Sequence, residues 1–259
     1  MKTARDLILV LCIFAAGCSS TYNPATGRNE FIYISTPAEV EMGEDIHRNI
    51  TGRYRLSTDE AALQRVERIG QDLVHVSDRQ DYAYHFYVIE EDEMNAFTAP
   101  GGNIYVHSGL LNKLRTDDQL AAVLAHEIGH CAARHSVKKF QAALTYDLIG
   151  QLVLSQIDSV SAQRMANLSS NAVMSIVFSS YSRKDEHEAD RLAIKYMYLA
   201  GYDPQAIIET FEILKEEEKE GVRMPQILRS HPYLDDRIEA VKEGILTVKD
   251  NYGGVTAAR

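Results

Sequence analysis

His126-Glu127-Ile128-Gly129-His130 is the stretch from which the rest of the chain is read. On an α-helix, positions i and i+4 lie roughly 40° apart around the axis and one turn along it. Both imidazoles therefore leave one face and can hold one metal ion. Glu127 is turned about 100° from His126, near enough to face a water on that metal without ligating it. Two neutral nitrogen ligands and an adjacent carboxylate base are what zinc-assisted peptide hydrolysis requires. Such a short pattern also arises by chance, so the surroundings decide its meaning.

Those surroundings predict a helix over Asp117–Lys139. Thr116-Asp117-Asp118-Gln119 has the form of a capping box, with acidic residues where the helix dipole favours them. Leu120, Val123, Leu124 and Ile128 follow at helical spacing. Gly129 costs a helix roughly 1 kcal/mol relative to alanine, which marks a close approach by another backbone.

A catalytic zinc takes a third protein ligand and leaves its fourth position to water. Candidates lie in Ser182-Arg183-Lys184-Asp185-Glu186-His187-Glu188-Ala189-Asp190-Arg191, where Ser182 and Asp185 signal a helix start. Glu186 and Asp190 are i and i+4 and share a face. Glu186 suits the metal, and Asp190 suits the outward ring nitrogen of a ligand histidine, fixing its tautomer. Spacing alone does not separate Glu186 from Glu188 or His187, nor from a solvated acidic face paired with Arg183, Lys184 and Arg191.

The HEIGH stretch followed by Glu186-x-Glu188-Ala189-Asp190-Arg191 resembles the gluzincin metallopeptidase family of the CAAX prenyl-protein endopeptidase, HtpX, BepA and LoiP. Further segments agree: Asn23-Pro24-Ala25-Thr26-Gly27-Arg28, Asn95-Ala96-Phe97, Pro100-Gly101-Gly102-Asn103-Ile104, and Ser230-His231-Pro232 with Asp236-Arg237-Ile238. The resemblance covers about residues 22–245. It implies a zincin-like fold with Zn2+ held by His126, His130 and Glu186, and Asp190 behind them. It also implies a strand edge beside the active-site helix that holds an extended substrate, with Asn95, Ala96, Phe97, Gly102, Asn103 and Ile104 as its wall. A plain hairpin packed on the core is the competing reading of those six residues.

His231 precedes Pro232, a favoured first helical position, and is expected at an N-terminal cap. There it can donate to the oxyanion of the tetrahedral intermediate, or swing onto the zinc as a fourth ligand, as the resemblance suggests. Arg237 can assist either role or form a salt bridge. His47, His75, His85, His107 and His135 lack ligand spacing and are expected to be structural or exposed.

Lys2 and Arg5, the apolar run Leu7–Ala16, and Ala15-Ala16-Gly17-Cys18 read as a secretory signal over residues 1–17. The run is shorter than the roughly 20 residues of a membrane span. It resembles a bacterial lipobox, which implies lipidation of Cys18, and Ser19 agrees with outer-membrane sorting. Its removal takes two basic residues and one acid, leaving 242 residues and a net charge of −11. An acidic chain gives no reason to expect nucleic-acid binding. Cys131 then has no disulfide partner and is expected as a small buried residue.

The fold class is α+β, mainly helical, with a small β-sheet beside the active-site helix. Residues 18–35 are expected as a linker, 36–250 as the peptidase domain and 251–259 as a tail. No tetratricopeptide module is expected after His231. Further helices are predicted over Pro37–Asn49, Thr58–Val76, Leu144–Ile157, Ala162–Ser179, Asp185–Ala200, Pro204–Glu220 and Pro232–Lys249, and strands at Tyr82–Ile89 and Ile104–Val106. The uncharged stretch Met165–Ser182 is rich in serine and asparagine, which argues against a membrane span. Function is expected to be zinc-dependent hydrolysis of misfolded or unassembled envelope proteins at the periplasmic face of the outer membrane, alongside possible outer-membrane assembly machinery. The alternative is a largely non-proteolytic chaperone or assembly lipoprotein.

Overall fold

The computed structural model describes residues 20–154, 170–220 and 224–254. The expected signal, Cys18, the last tail residues 255–259 and the stretch 155–169 lie outside them. A hairpin comes first, β1 (Thr21–Asn23) and β2 (Arg28–Glu30), then α1 (Thr36–Thr51) and α2 (Glu60–His75). Strands β3 (His85–Ile89), β4 (Ala96–Ala99) and β5 (Asn103–His107) follow, then α3 (Ser108–Lys113) and the HEIGH helix α4 (Asp117–Ala132). The remainder is helical: α5 (His135–Leu154), α6 (Ser170–Val177), α7 (Arg183–Ala200), α8 (Ala206–Glu220), α9 (Gln226–Ser230) and α10 (Leu234–Tyr252). The expected class, α+β and mainly helical, holds. Among the described residues, no helix is long and apolar enough to cross a membrane.

The three-stranded sheet has the order β3-β5-β4, with β3 parallel and β4 antiparallel to the central β5. Alternation divides its two faces. Phe86, Val88, Ala96, Ile104 and Val106 join the main core with Val66, Ile69 and Leu73 of α2 and Leu120 and Leu124 of α4. Ile89, Phe97, Ala99 and Tyr105 pack beneath Ile46 and Ile50 of α1 and Met174 and Val177 of α6. Tyr105 stacks between Tyr87 and Phe97 at 5.0 and 4.9 Å. This aromatic ladder pins the register, because a one-residue slip would turn it to the other face. Between β4 and β5 the chain turns at Gly101 and Gly102, whose φ values of 75° and 79° side chains rarely adopt.

The stretch expected as a linker is partly structured. The Asn23 side chain accepts from Ala25 N at 3.0 Å and Gly27 N donates to Asn23 O at 2.9 Å, closing the β1–β2 turn. Helix boundaries agree closely at α1, α2 and α7, where Ser35, Asp59 and the Ser182–Asp185 capping box start them. The single helix expected over Asp117–Lys139 is instead two. It stops after Ala132, Arg134 takes φ 57°, and α5 begins at His135. Lys138 Nζ donates to the Ala133 carbonyl at 2.8 Å, satisfying a group the break exposes. The helix expected from Leu144 belongs to α5, and of that expected over Ala162–Ser179 the described part is α6.

α4 lies buried along its length and packs most closely on α7. A Cβ at Gly129 would sit 2.9 Å from the Ala189 carbonyl oxygen and 3.2 Å from Ala189 Cα. The glycine thus marks the backbone approach expected of it. Gly129→Ala should therefore destabilise the protein by about 1–3 kcal/mol through overpacking, reversing the roughly 1 kcal/mol gain that helix propensity alone predicts. Urea denaturation of the two proteins measures the sign.

Candidate metal centre

Four ligand groups converge between α4, α7 and the end of α9. His126 and His130 leave one face of α4, Glu186 faces them from the first turn of α7, and His231 follows α9. Each offers one ligand atom within 4.8 Å of the others, the one such group among the described residues. His126 Nε2 and His130 Nε2 are 3.0 Å apart, and Glu186 oxygens stand 3.6 and 3.4 Å from them. Four ligands at tetrahedral zinc distances are separated by about 3.3 Å, so the donor set fits such an ion. Glu188, left open by spacing, turns away from this centre toward Arg28 and His135.

The partners behind the ligands are also present. His126 Nδ1 lies 2.8 Å from Asp190 Oδ1, and Arg237 donates to Asp190 through Nε and Nη2, both at 2.7 Å. Arg237 Nη1 also pairs with Glu186 Oε2 at 2.6 Å. Burial by itself would raise the pKa of Glu186 and Asp190. The Arg237 charge outweighs it and holds both below the ordinary carboxylate range, aided at Glu186 by His231. Burial drives His130 well below the usual histidine value and so favours the neutral ring that binds metals. Against its own burial, His231 is raised by the Glu186 and Glu127 carboxylates.

Glu127 is 1% exposed, with Oε1 3.6 Å from His231 Nε2. Glu127 Oε2 and His231 Nε2 are buried without a hydrogen-bond partner among the described residues. His231 is not at the N-cap expected of it. It ends α9, its N–H donating to Ile227 O at 2.8 Å, while Tyr233, at φ 71°, starts α10. The residue before a proline is pushed to an extended conformation, so Pro232 separates the two helices instead of opening the second. His231 Nδ1 lies 3.2 Å from His126 Nε2 and 3.1 Å from Glu186 Oε1.

Of the six wall candidates, Ala96 and Phe97 are on β4, the sheet edge, with Asn95 just before it. Both amide atoms of Asn95 are buried and unpartnered among the described residues. Gly102 is in the turn, and Asn103 and Ile104 are on β5, paired on both sides. A central strand has no free edge, so the backbones of Asn103 and Ile104 are not open to strand addition, and Gly102 precedes that strand. An apolar cavity, lined by Val123, Ile207, Phe211, Leu214 and Ile227, opens beside Glu127 and His231.

Sequence reasoning missed three contributors. Tyr181 stacks on the His130 ring at 3.9 Å. His135, expected to be structural or exposed, is 1% exposed, with its Nδ1 2.9 Å from His130 Nδ1. Arg79 and Glu39 form a buried pair that also holds the Cys131 and Gly101 backbones. Cys131 is buried as expected, its thiol pushed up to about 12 mainly by burial, far from a reactive thiolate.

Buried histidines and a glutamate facing one point from two packed helices, with a carboxylate beside them on the first, define a zincin-like metallopeptidase. Residues 60–245 match peptidase family M48, and the chain belongs to that family. It is similar to the beta-barrel assembly-enhancing protease of Escherichia coli (strain K12), 31% identical over 221 residues, or 83% of this chain and 45% of the relative. The mitochondrial metalloendopeptidase OMA1 of Schizosaccharomyces pombe is 30% identical over 225 residues, 86% of this chain and 65% of the relative. OMA1 of Saccharomyces cerevisiae is 27% identical over 271 residues, 93% of this chain and 75% of the relative. The chain thus spans about half the length of the assembly-enhancing proteases it matches.

The depressed Glu186 and Asp190 values fix the sign of an acid effect in metal-free protein. Their stabilising contribution is complete above the ordinary values of 4.5 and 3.8 and is lost as pH falls through the lower folded values. The part of the stability that these two carboxylates contribute should stay flat from about pH 7 to 5 and decline below that. Arg237→Met leaves two buried carboxylates without their cation and should cost about 3–5 kcal/mol at neutral pH. That deficit should narrow on acidification, as urea denaturation across pH would show.

Proposed function

We propose that this chain is a zinc-dependent endopeptidase that cleaves misfolded or unassembled cell-envelope proteins at the periplasmic face of the outer membrane. The observation that carries the catalytic part is the convergence of His126, His130 and Glu186 with Glu127 beside them. Bound by those three ligands, zinc would supply Lewis-acid polarisation of the scissile carbonyl and lower the pKa of a water. Glu127 takes the water proton and later delivers it to the leaving amine. Its buried, unpartnered oxygen supports that role. Asp190 accepts from His126 Nδ1–H, keeping Nε2 free as a ligand, and Arg237 orients Asp190.

An extended peptide is read along β4. His107 N donates to Asn95 O at 2.9 Å, so pairing alternates through Phe97 and Ala99 and turns the Ala96 and Thr98 backbone groups away from β5. Those groups suit strand addition, with the Asn95 amide as a further contact. The adjacent apolar cavity suits an apolar side chain of the substrate. Such sequences are exposed in unfolded proteins and buried in folded ones. The bacterial relatives' names, together with the lipobox-like Ala15–Cys18, support an envelope location and an assembly-related partner.

Purified protein should cleave casein, and a chelator should stop it. Glu127→Gln should lower the rate by about 10²–10⁴-fold, the range typical of a general base, while retaining metal. Wild-type cleavage by that variant would remove the mechanism. Restoration of envelope function by the same variant would favour the non-proteolytic assembly role instead.

The position of His231 Nδ1 beside two ligands favours a resting state in which this ring takes the fourth position. His231→Ala should then raise casein cleavage severalfold. A loss of about 10²-fold or more would assign His231 to the oxyanion instead.

A further inference from the structure

The break in the helix after Ala132 brings His135 back onto the metal centre. The two Nδ1 atoms of His130 and His135 face each other at 2.9 Å. On its other side, His135 Nε2 is 3.3 Å from Glu188 Oε2 and 3.4 Å from Asp185 Oδ1. Glu188 in turn accepts from Arg28 Nη2 through both oxygens at 2.8 Å. Arg28 belongs to the β1–β2 hairpin, which lies before the part of the chain that matches the family. That hairpin is tied to α7 a second time, by Arg191 Nη2 donating to Ala25 O at 2.6 Å.

Proton positions along this chain follow from the donor inventory. Carboxylates only accept, so His135 Nε2 carries a proton toward Glu188. Two N–H groups cannot face each other at 2.9 Å, so one Nδ1 is an acceptor. If His130 ligates through Nε2, its remaining proton is on Nδ1, and His135 Nδ1 accepts it. We infer, on the zinc reading above, that Arg28, Glu188 and His135 are positioning residues that hold His130 in its metal-binding tautomer. The N-terminal hairpin thereby completes the metal centre. His126 has the corresponding support from Asp190 and Arg237. Each histidine ligand then has its own anchor, one drawn from α10 and the other from the hairpin.

The readout is zinc affinity, measured on the full chain by competition with a chromophoric chelator, with circular dichroism as the folding control. His135→Leu removes the acceptor, and affinity should fall by about 10–100-fold, the usual cost of losing such a partner. In His135→Asn the side-chain oxygen can stand where Nδ1 stood, and affinity should return to within about threefold of wild type. Equal affinity for His135→Leu and wild type would overturn the inference, and so would equal losses for Leu and Asn. Arg28→Met changes a half-exposed side chain outside the main core, so, with the same circular-dichroism control, it tests the hairpin even if a His135 variant fails to fold. A loss of threefold or more supports the hairpin's part, and an unchanged value overturns it. If wild type itself binds no zinc, the failure belongs to the proposed function and not to this chain of contacts.

Discussion

The metal centre depends on how closely α4 and α7 approach. Neither helix carries a complete ligand set. At Gly129 the backbone of α7 comes within the reach of a single added methyl group. That spacing sets Glu186 against His130 and Asp190 against His126, because residues i and i+4 on each helix share the facing side. A side chain at position 129 would separate the helices and pull both pairs apart together. The apolar residues along the same interface, Ile128, Leu192, Ala193 and Tyr196 among them, hold the approach by burial and make it a property of the core.

Placing so many charges inside a core is costly unless each is paired. Arg237 does most of that work. It is 3% exposed, lies over the Phe211 ring at 4.7 Å, and reaches both buried carboxylates of α7. With those carboxylates held ionised, Glu186 can act as an anionic ligand and Asp190 as a hydrogen-bond acceptor. Glu127 Oε2 and His231 Nε2, on the two residues given reactive or controlling roles, are among the buried polar atoms left without a hydrogen-bond partner among the described residues.

Local patterns made much of this legible. The Thr116 and Ser182 caps and the i,i+4 pairs at His126/His130 and Glu186/Asp190 are written within single turns, and the structure keeps them. The glycine inside HEIGH announced a close backbone. What local pattern could not show were contacts made by irregular backbone. Ala132-Ala133-Arg134-His135 has good helix formers and no glycine or proline, so nothing announced the break at Arg134. An unbroken helix would turn His135 about 140° away from His130, which hid its contact. His231 was misplaced at a cap because Pro232 reads as a helix start, whereas Tyr233 supplies the turn. That Asn103 and Ile104 lie on the central strand was not legible either, because an edge strand and a central strand look alike in sequence, and only pairing distinguishes them.

The central claim is that α4 and α7 together present nitrogen and carboxylate ligands to one zinc ion. Zinc K-edge X-ray absorption on the purified protein tests this most directly. One zinc per chain, with a first shell of nitrogen and oxygen near 2.0–2.1 Å and outer-shell imidazole scattering from two or three histidines, is the expected result. A sulfur shell near 2.3 Å, which would require Cys131 beside His130 to ligate, or zinc far below one per chain, would contradict it.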